Sequence, residues 1–384
     1  MHRDPIKLLF VLPSFTFGGA ERTSLNLLGG IDRTKIRICL VTSKNIFYHF
    51  QNIGVDKFLA IEDLGIDVWF HSLRRFIHDI RKIAFVLKTE HPDLAFGMMH
   101  YPSSLLAFAK KAYNLKVKVI VSPRGPSTEY LKHFEHSFFR KAWLRWVFGF
   151  FCRFADKIVV ASTGMKEECV RDYRAISENV EVIPNSIDIH DIKKKADEAI
   201  DFTIPPGFHV IATAGRLERE KNMPILFKAF SEIRKREKVK LLVIGDGSEK
   251  NSLEILSDEL DIRRDVMFVG YQQNLYKFLS KATIFAHTCL FEGFANVIVE
   301  AMACGVPVVA VNCPYGPRDI IEQGVNGLLV PIQSEGALVE ALSTLLKNEQ
   351  LRKDMAQRGL TRSLDFAVDT MVISYQKFFE KVLL

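Results

Sequence analysis

The segment FEGFANVIVEAMACGVPVV (291–309) carries two carboxylates, Glu292 and Glu300, with seven residues between them. The intervening residues are mostly small or apolar. A buried structural segment has little use for charge twice at that spacing. Carboxylates are good acceptors for vicinal sugar hydroxyls. With Glu292 in a loop and Glu300 one to two turns into the following helix, at ~1.5 Å rise per residue the pair reaches two parts of one extended ligand. Gly293, Gly305 and the small Ala295, Ala301 and Ala303 allow close approach. The plain alternative is a helix capped by a loop acid, with Glu300 exposed.

Two other stretches have residues suited to phosphate. AGRLEREKN puts Arg216 at a strand end and Lys221 five residues on. A fork donor and a point cation together match a diphosphate. The neighbours Glu218, Arg219 and Glu220 allow the simpler reading of a solvated charged loop. Gly18 and Gly19 lie between the first strand and the first helix, where free backbone N–H groups and a helix dipole favour an anion. A glycine pair also fits an ordinary tight turn, and the pattern is not G-x-G-x-x-G.

These loops need a scaffold, and the chain supplies one by alternating strands and helices twice. KLLFVLPSF, IRICLVTS, PDLAFGM, VKVIVSP, ADKIVVAST and VEVIPNSID read as strands of a first α/β unit. FHVIATAGRL, VKLLVIGDGS, VMFVGY, ATIFAHTC, VPVVAVN and GLLVP read as strands of a second. Near-continuous apolar strands with helices between them imply parallel sheets covered on both faces. The expected division is an N-terminal Rossmann-like domain over 1–188, a linker over 189–207, a C-terminal Rossmann-like domain over 208–365, and a last helix over 366–384 crossing back to the first. Two such domains face each other across a cleft in this reading. Ligands meet such sheets at the carboxyl ends of the strands. The informative loops are therefore 13–21, 122–127, 214–222, 245–248, 290–296 and 314–318.

Composition bounds the rest. The 384 residues exceed what one core usually fills, and the 48% apolar and 25% charged fractions are those of a globular protein. A net charge of +7 points to an anionic partner: nucleotide, nucleic acid or membrane surface. The six cysteines form no C-x-x-C and read as buried free thiols. The apolar run near the N-terminus is too short for a signal peptide, and no stretch reaches a membrane span. The expectation is a cytoplasmic protein, peripheral on the inner face of the membrane.

In combination the pieces resemble a known family, the retaining glycosyltransferases of family 4, with GT-B architecture. FGGAER, ADKIVVASTGMKEECV, VIPNSID, GRLEREKNMPILFKAF, LLVIGDGSE, FVGY, FEGFANVIVEAMACGVPVVA and GPRDIIEQGVNGLLVP occur in family order over nearly the whole chain. The resemblance implies that Glu292 contacts the transferred sugar, helped by the backbone of Gly293, Phe294, Ala295, Asn296 and Val297. It implies that Glu300 binds the nucleotide ribose and that Arg216 and Lys221 hold the diphosphate. Gly18 and Gly19 would close on the phosphates, and Gly245 and Asp246 would border the base. The chain has no D-x-D element, which fits metal-independent transfer with no cofactor. The implied donor is a nucleotide sugar, UDP-linked by family frequency. NCPYGPRDII is similar to members that transfer hexoses or N-acetylhexosamines to bacterial polysaccharide or lipid-linked glycans. A nucleic-acid partner would explain the charge but not the acids.

One departure concerns the acceptor. Where many relatives carry His-Gly, VSPRGPS carries Arg124, a permanent cation that suits a phosphate. His100 is a second strand-end residue read toward the acceptor, with a structural turn histidine as the alternative. KHFEHSFFRKAWLRWVFGFFCRF (132–154) is basic and aromatic, with Phe139, Trp143, Trp146, Phe150 and Phe154 on one helical stripe. Packing of that stripe on the sheet is the expectation. Phe148, Phe151 and the cations Arg140, Lys141 and Arg145 are left to meet lipid.

Overall fold

A computed structural model describes residues 4–14, 18–200 and 203–384. The chain divides into two compact units. One runs to Ser186 and includes Val368–Leu384, and the other is Ile187–Ala367.

The first unit is built on seven strands: β1 (Ile6–Leu12), β2 (Ile36–Thr42), β3 (Lys57–Ala60), β4 (Leu94–Met98), β5 (Lys118–Ser122), β6 (Lys157–Val160) and β7 (Val180–Val182). They form one parallel sheet in the order β3-β2-β1-β4-β5-β6-β7. Strand β1 is central, and Leu8 to Leu12 are all buried. That requires apolar side chains on both faces, hence the unbroken run LLFVL. The sequence reading has six strands here; the seventh is β3, a four-residue edge strand whose short run KFLA gives too little pattern to read. The last helix, Val368–Leu383, buries Met371, Tyr375, Phe378, Phe379 and Val382. Their three- and four-residue spacing makes one helical stripe, which packs with Leu8, Phe10 and Phe96.

The second unit has six strands: β8 (His209–Ala214), β9 (Val239–Ile244), β10 (Val266–Gly270), β11 (Ile284–His287), β12 (Val308–Val311) and β13 (Leu328–Val330). All pairs are parallel, in the order β10-β9-β8-β11-β12-β13. The strand order reverses between β8 and β11, which sets a topological switch point between them.

Two expectations need correction. The first half of the expected linker 189–207 is a helix, Ile189–Ala196, capped by the Asp188 carboxylate accepting from Asp191 N–H at 2.9 Å. It docks on the second unit: Asn274 donates to Lys195 O and Ser280 to Ala196 O, each at 2.9 Å. The run is charged but keeps Ile192 and Ala196 in register for burial. The second correction is the phase of helix Phe138–Phe154. Its buried face is Leu144, Val147, Phe148, Phe151 and Cys152, so Phe148 and Phe151 are core and cannot meet lipid. Trp143 is only part-buried, against Phe70, and Phe150 stacks on Phe108 at 3.7 Å. Phe138, Phe139 and Trp146 stand 78%, 84% and 56% exposed. The less bulky aliphatic positions 144 and 147 take the buried side, and Phe138, Phe139 and Trp146 are left on the exposed side.

Candidate active site

In the second unit the loops after β8 and β11 meet at the switch point. Thr288 Oγ1 donates to Lys221 O at 2.9 Å, and Leu290 N–H donates to Glu220 O at 2.8 Å. These bonds hold Lys221 against Glu292, with Nζ 2.5 Å from Oε2. The two side chains keep only 15% and 24% of their surface exposed. Burial alone would push Lys221 down, but the Glu292 charge beside it holds its pKa above the ordinary lysine value. Burial alone would likewise raise Glu292, and the Lys221 ammonium holds it well below the usual carboxylate range. Both are charged at neutral pH and each is the other's counter-ion. His287 Nε2 stands 3.7 Å from the same Oε2, too far for a hydrogen bond.

The loop carrying Glu292 is shaped by backbone contacts. Ala295 takes φ +67°, left-handed and uncommon for a residue with a Cβ, to turn the chain into helix Asn296–Ala303. Gly316 lies against this loop. A Cβ there would stand 2.8 Å from the Phe294 backbone, so only glycine fits. Gly293, Phe294 and Ala295 are buried, and Asn296 and Val297 are half-buried at the start of the helix. Glu300 is 4% exposed and accepts from Tyr276 OH at 3.2 Å. The alternative of an exposed Glu300 is therefore excluded, and a buried carboxylate needs such donors.

Beside this centre the ends of β8, β9 and β10 are laced together. Leu217 N–H donates to Asp246 O at 2.9 Å, and Gly245 N–H to Gly270 O at 2.8 Å. Gly245 has φ +139°, and a Cβ on it would lie 1.9 Å from Gly215 O. Asp246 is exposed at the tip. Arg216 is not part of the buried pair: its side chain is 77% exposed and bonds Glu220 at 3.2 Å. The structure thus joins Lys221 and Glu292 directly and pairs Arg216 with Glu220 instead.

In the first unit, Gly18 N–H donates to the Glu21 carboxylate at 2.9 Å in a capping box, and Gly19 opens the first helix. That backbone donor is already occupied. Residues 15–17 of the glycine loop lie outside the described residues. His100 opens the helix after β4, with Nε2 2.7 Å from Ser127 Oγ and its ring on Phe148. Burial lowers its pKa to about 4, so it is neutral at pH 7. Arg124, at the end of β5, bonds three groups: Met98 Sδ at 2.9 Å, Asn185 Oδ1 at 3.0 Å and Tyr375 OH at 2.6 Å. None of them is a carboxylate.

The sequence reading missed His287, Cys289 and Tyr276. HTC directly precedes the glutamate loop, which was the available signal for the first two. Nothing local marks Tyr276, whose contact with Glu300 spans 24 residues.

The chain matches known proteins in sequence and in fold. The model for group 1 glycosyl transferases matches residues 194–362, and that for glycosyltransferase family 4 matches residues 17–191. The Campylobacter jejuni N-acetylgalactosamine-N,N'-diacetylbacillosaminyl-diphospho-undecaprenol 4-alpha-N-acetylgalactosaminyltransferase is 30% identical, over 71% of this chain and 72% of its own. A second C. jejuni protein, an alpha-1,4-N-acetyl-D-galactosaminyltransferase named for a GalNAc-containing diNAcBac-PP-undecaprenol acceptor, is 24% identical over 98% and 99%. The crystal structure of Anabaena HepE in complex with UDP superposes with a TM-score of 0.78 at 20% identity, covering 98% of this chain and 100% of that one. Two α/β units with GT-B relatives, two family models spanning nearly all of the sequence, and a 30% identical relative over most of both chains lead to one conclusion: this chain belongs to the family 4 glycosyltransferases.

Proposed function

We propose that the protein is a retaining transferase moving a hexose or N-acetylhexosamine from a UDP-sugar to a lipid-linked glycan at the cytoplasmic membrane face. The observation that carries this reading is the Lys221–Glu292 pair at the switch point, with Glu300 buried along the following helix. An incoming diphosphate competes with Glu292 for Lys221, and Arg216 swings in as the second cation. Glu292, released from Lys221, accepts from sugar hydroxyls, and Glu300 accepts from the ribose. As the sugar–phosphate bond breaks, Lys221 and Arg216 stabilise the charge growing on the leaving diphosphate. The acceptor hydroxyl attacks from the same face, and its proton passes to the departing phosphate oxygen. No metal is required in this scheme.

Supporting the donor, the similarly folded Anabaena HepE has been solved in complex with UDP and with UDP-glucose. Supporting the acceptor, both C. jejuni relatives are named for undecaprenol-diphosphate substrates. Arg124 and His100 are the acceptor residues in this reading. Among the described residues no helix is long and apolar enough to cross a membrane. Membrane contact instead falls to the exposed Phe138, Phe139 and Trp146, with Arg140, Lys141 and Arg145 nearby. Arg140 donates to Phe70 O at 3.2 Å, which sets the 57% exposed Trp69 beside the start of that helix.

A panel of nucleotide sugars, read as released nucleotide with and without a lipid extract and with and without EDTA, tests the proposal. A UDP-sugar should be turned over, faster with lipid and regardless of EDTA. Loss of all turnover in EDTA, restored by magnesium or manganese, would remove the metal-free scheme. A folded protein that releases nucleotide from no donor is a binding scaffold instead.

A further inference from the structure

The surroundings of Glu292 contain more than a lysine. His287, Cys289 and Glu292 present one ring nitrogen, one sulfur and one carboxylate oxygen that all lie within 4.8 Å of one another. Cys289 Sγ is 3.4 Å and His287 Nε2 3.7 Å from Glu292 Oε2. His287 is 3% exposed, yet neither of its ring nitrogens has a hydrogen-bond partner. A buried imidazole left without partners is costly and calls for a ligand. Tetrahedral ligands ~2.0–2.3 Å from zinc stand roughly 3.3–3.8 Å apart, so small side-chain rotations would seat the ion. Thiolate, imidazole and carboxylate together select a borderline-soft ion over magnesium or calcium.

We propose that this cluster is an inhibitory zinc site in which the ion and the Lys221 ammonium compete for the same carboxylate. In the metal-free protein Lys221 is the cation of the site, 2.5 Å from Glu292 Oε2. On zinc binding, Cys289 releases its thiol proton to solvent and bonds the ion as thiolate. His287 contributes a neutral ring nitrogen, Glu292 turns from Lys221 to the metal, and water fills the fourth position. The ion binds without donor; only its inhibitory effect rests on the proposed donor role of Glu292 and Lys221.

The test uses the full chain freed of metal. Zinc uptake is followed against a chromophoric chelator, and cobalt is added separately to look for a thiolate-to-cobalt charge-transfer band. One ion per chain is expected, with the band present in wild type and absent in Cys289→Ser. His287→Phe should weaken binding at least tenfold. Lys221→Met, which removes the competing cation, should tighten it at least tenfold, a gain that a purely structural lysine would not produce. Absence of uptake by folded wild type overturns the proposal, as does uptake without the band or an unchanged affinity in Lys221→Met. The wild-type cobalt spectrum decides even if a variant fails to fold. UDP-glucose should expel the ion, and equimolar zinc should lower transfer at least tenfold. If zinc binds as described and UDP-glucose leaves it in place, the donor reading fails while the metal site stands.

Discussion

Lys221 and Arg124 are both half-buried cations at the ends of strands, one in each unit, and they are compensated in opposite ways. Lys221 faces the Glu292 carboxylate at 2.5 Å, so the two charges of this pair cancel each other. Arg124 is held by a thioether, an amide oxygen and a phenol, so its charge stays uncancelled. A self-neutralised pair admits an anion only by being opened, which ties recognition to release of Glu292. An uncancelled guanidinium is pre-set for an anion and needs no such exchange. The first arrangement fits a group whose charge changes during reaction, the second a group that is only held.

The largest effect is expected at Glu292. Glu292→Gln should lower kcat by about 10²–10³, as expected for a group whose interaction strengthens in the transition state, with nucleotide affinity nearly kept. Calorimetry showing UDP binding abolished in this variant, with turnover retained at saturating donor, would assign Glu292 to binding alone. Next in size is Arg124→Met. Loss of a charge-assisted contact should raise the acceptor KM roughly 10–30-fold, with donor KM within about twofold. If donor KM rises instead, Arg124 serves the other substrate.

Glu300→Gln should act on the donor, raising its KM about tenfold through a weakened hydrogen bond to the ribose. An effect confined to kcat would place Glu300 with Glu292. The smallest effect concerns pH and His100. Its folded pKa of about 4 lies below the ordinary 6.5, so the unfolded chain binds the proton first. This contribution to stability is present above pH ~6.5 and is lost as pH falls toward 4. Urea midpoints of wild type and His100→Gln at pH 7 and pH 5 check it. The wild type should lose more on acidification, and equal losses would mean His100 is accessible to protons in the folded state.

Amino-acid order alone determined much of this protein. Buried parallel strands such as LLFVL and LLVI declare themselves because both faces are covered, and the acids and cations of the strand-end loops were nameable because their types and spacing are chemical requirements. The four-residue edge strand β3 and the helix Ile189–Ala196 were not legible, since short or charged runs give too little periodicity. The tertiary structure alone decided who neutralises whom. Lys221 and Glu292 are 71 positions apart, and Arg124 reaches Tyr375 across 251. Such pairs depend on which strands the sheet makes neighbours. The phase of helix Phe138–Phe154 was settled the same way: its aromatics could have faced either side, and packing of Leu144, Val147, Phe148 and Phe151 in the core left Phe138, Phe139 and Trp146 to solvent. The grouping of His287 and Cys289 with Glu292 is local in sequence, HTCLFE, and the structure adds only that the strand end and its turn bring the three side chains to one point.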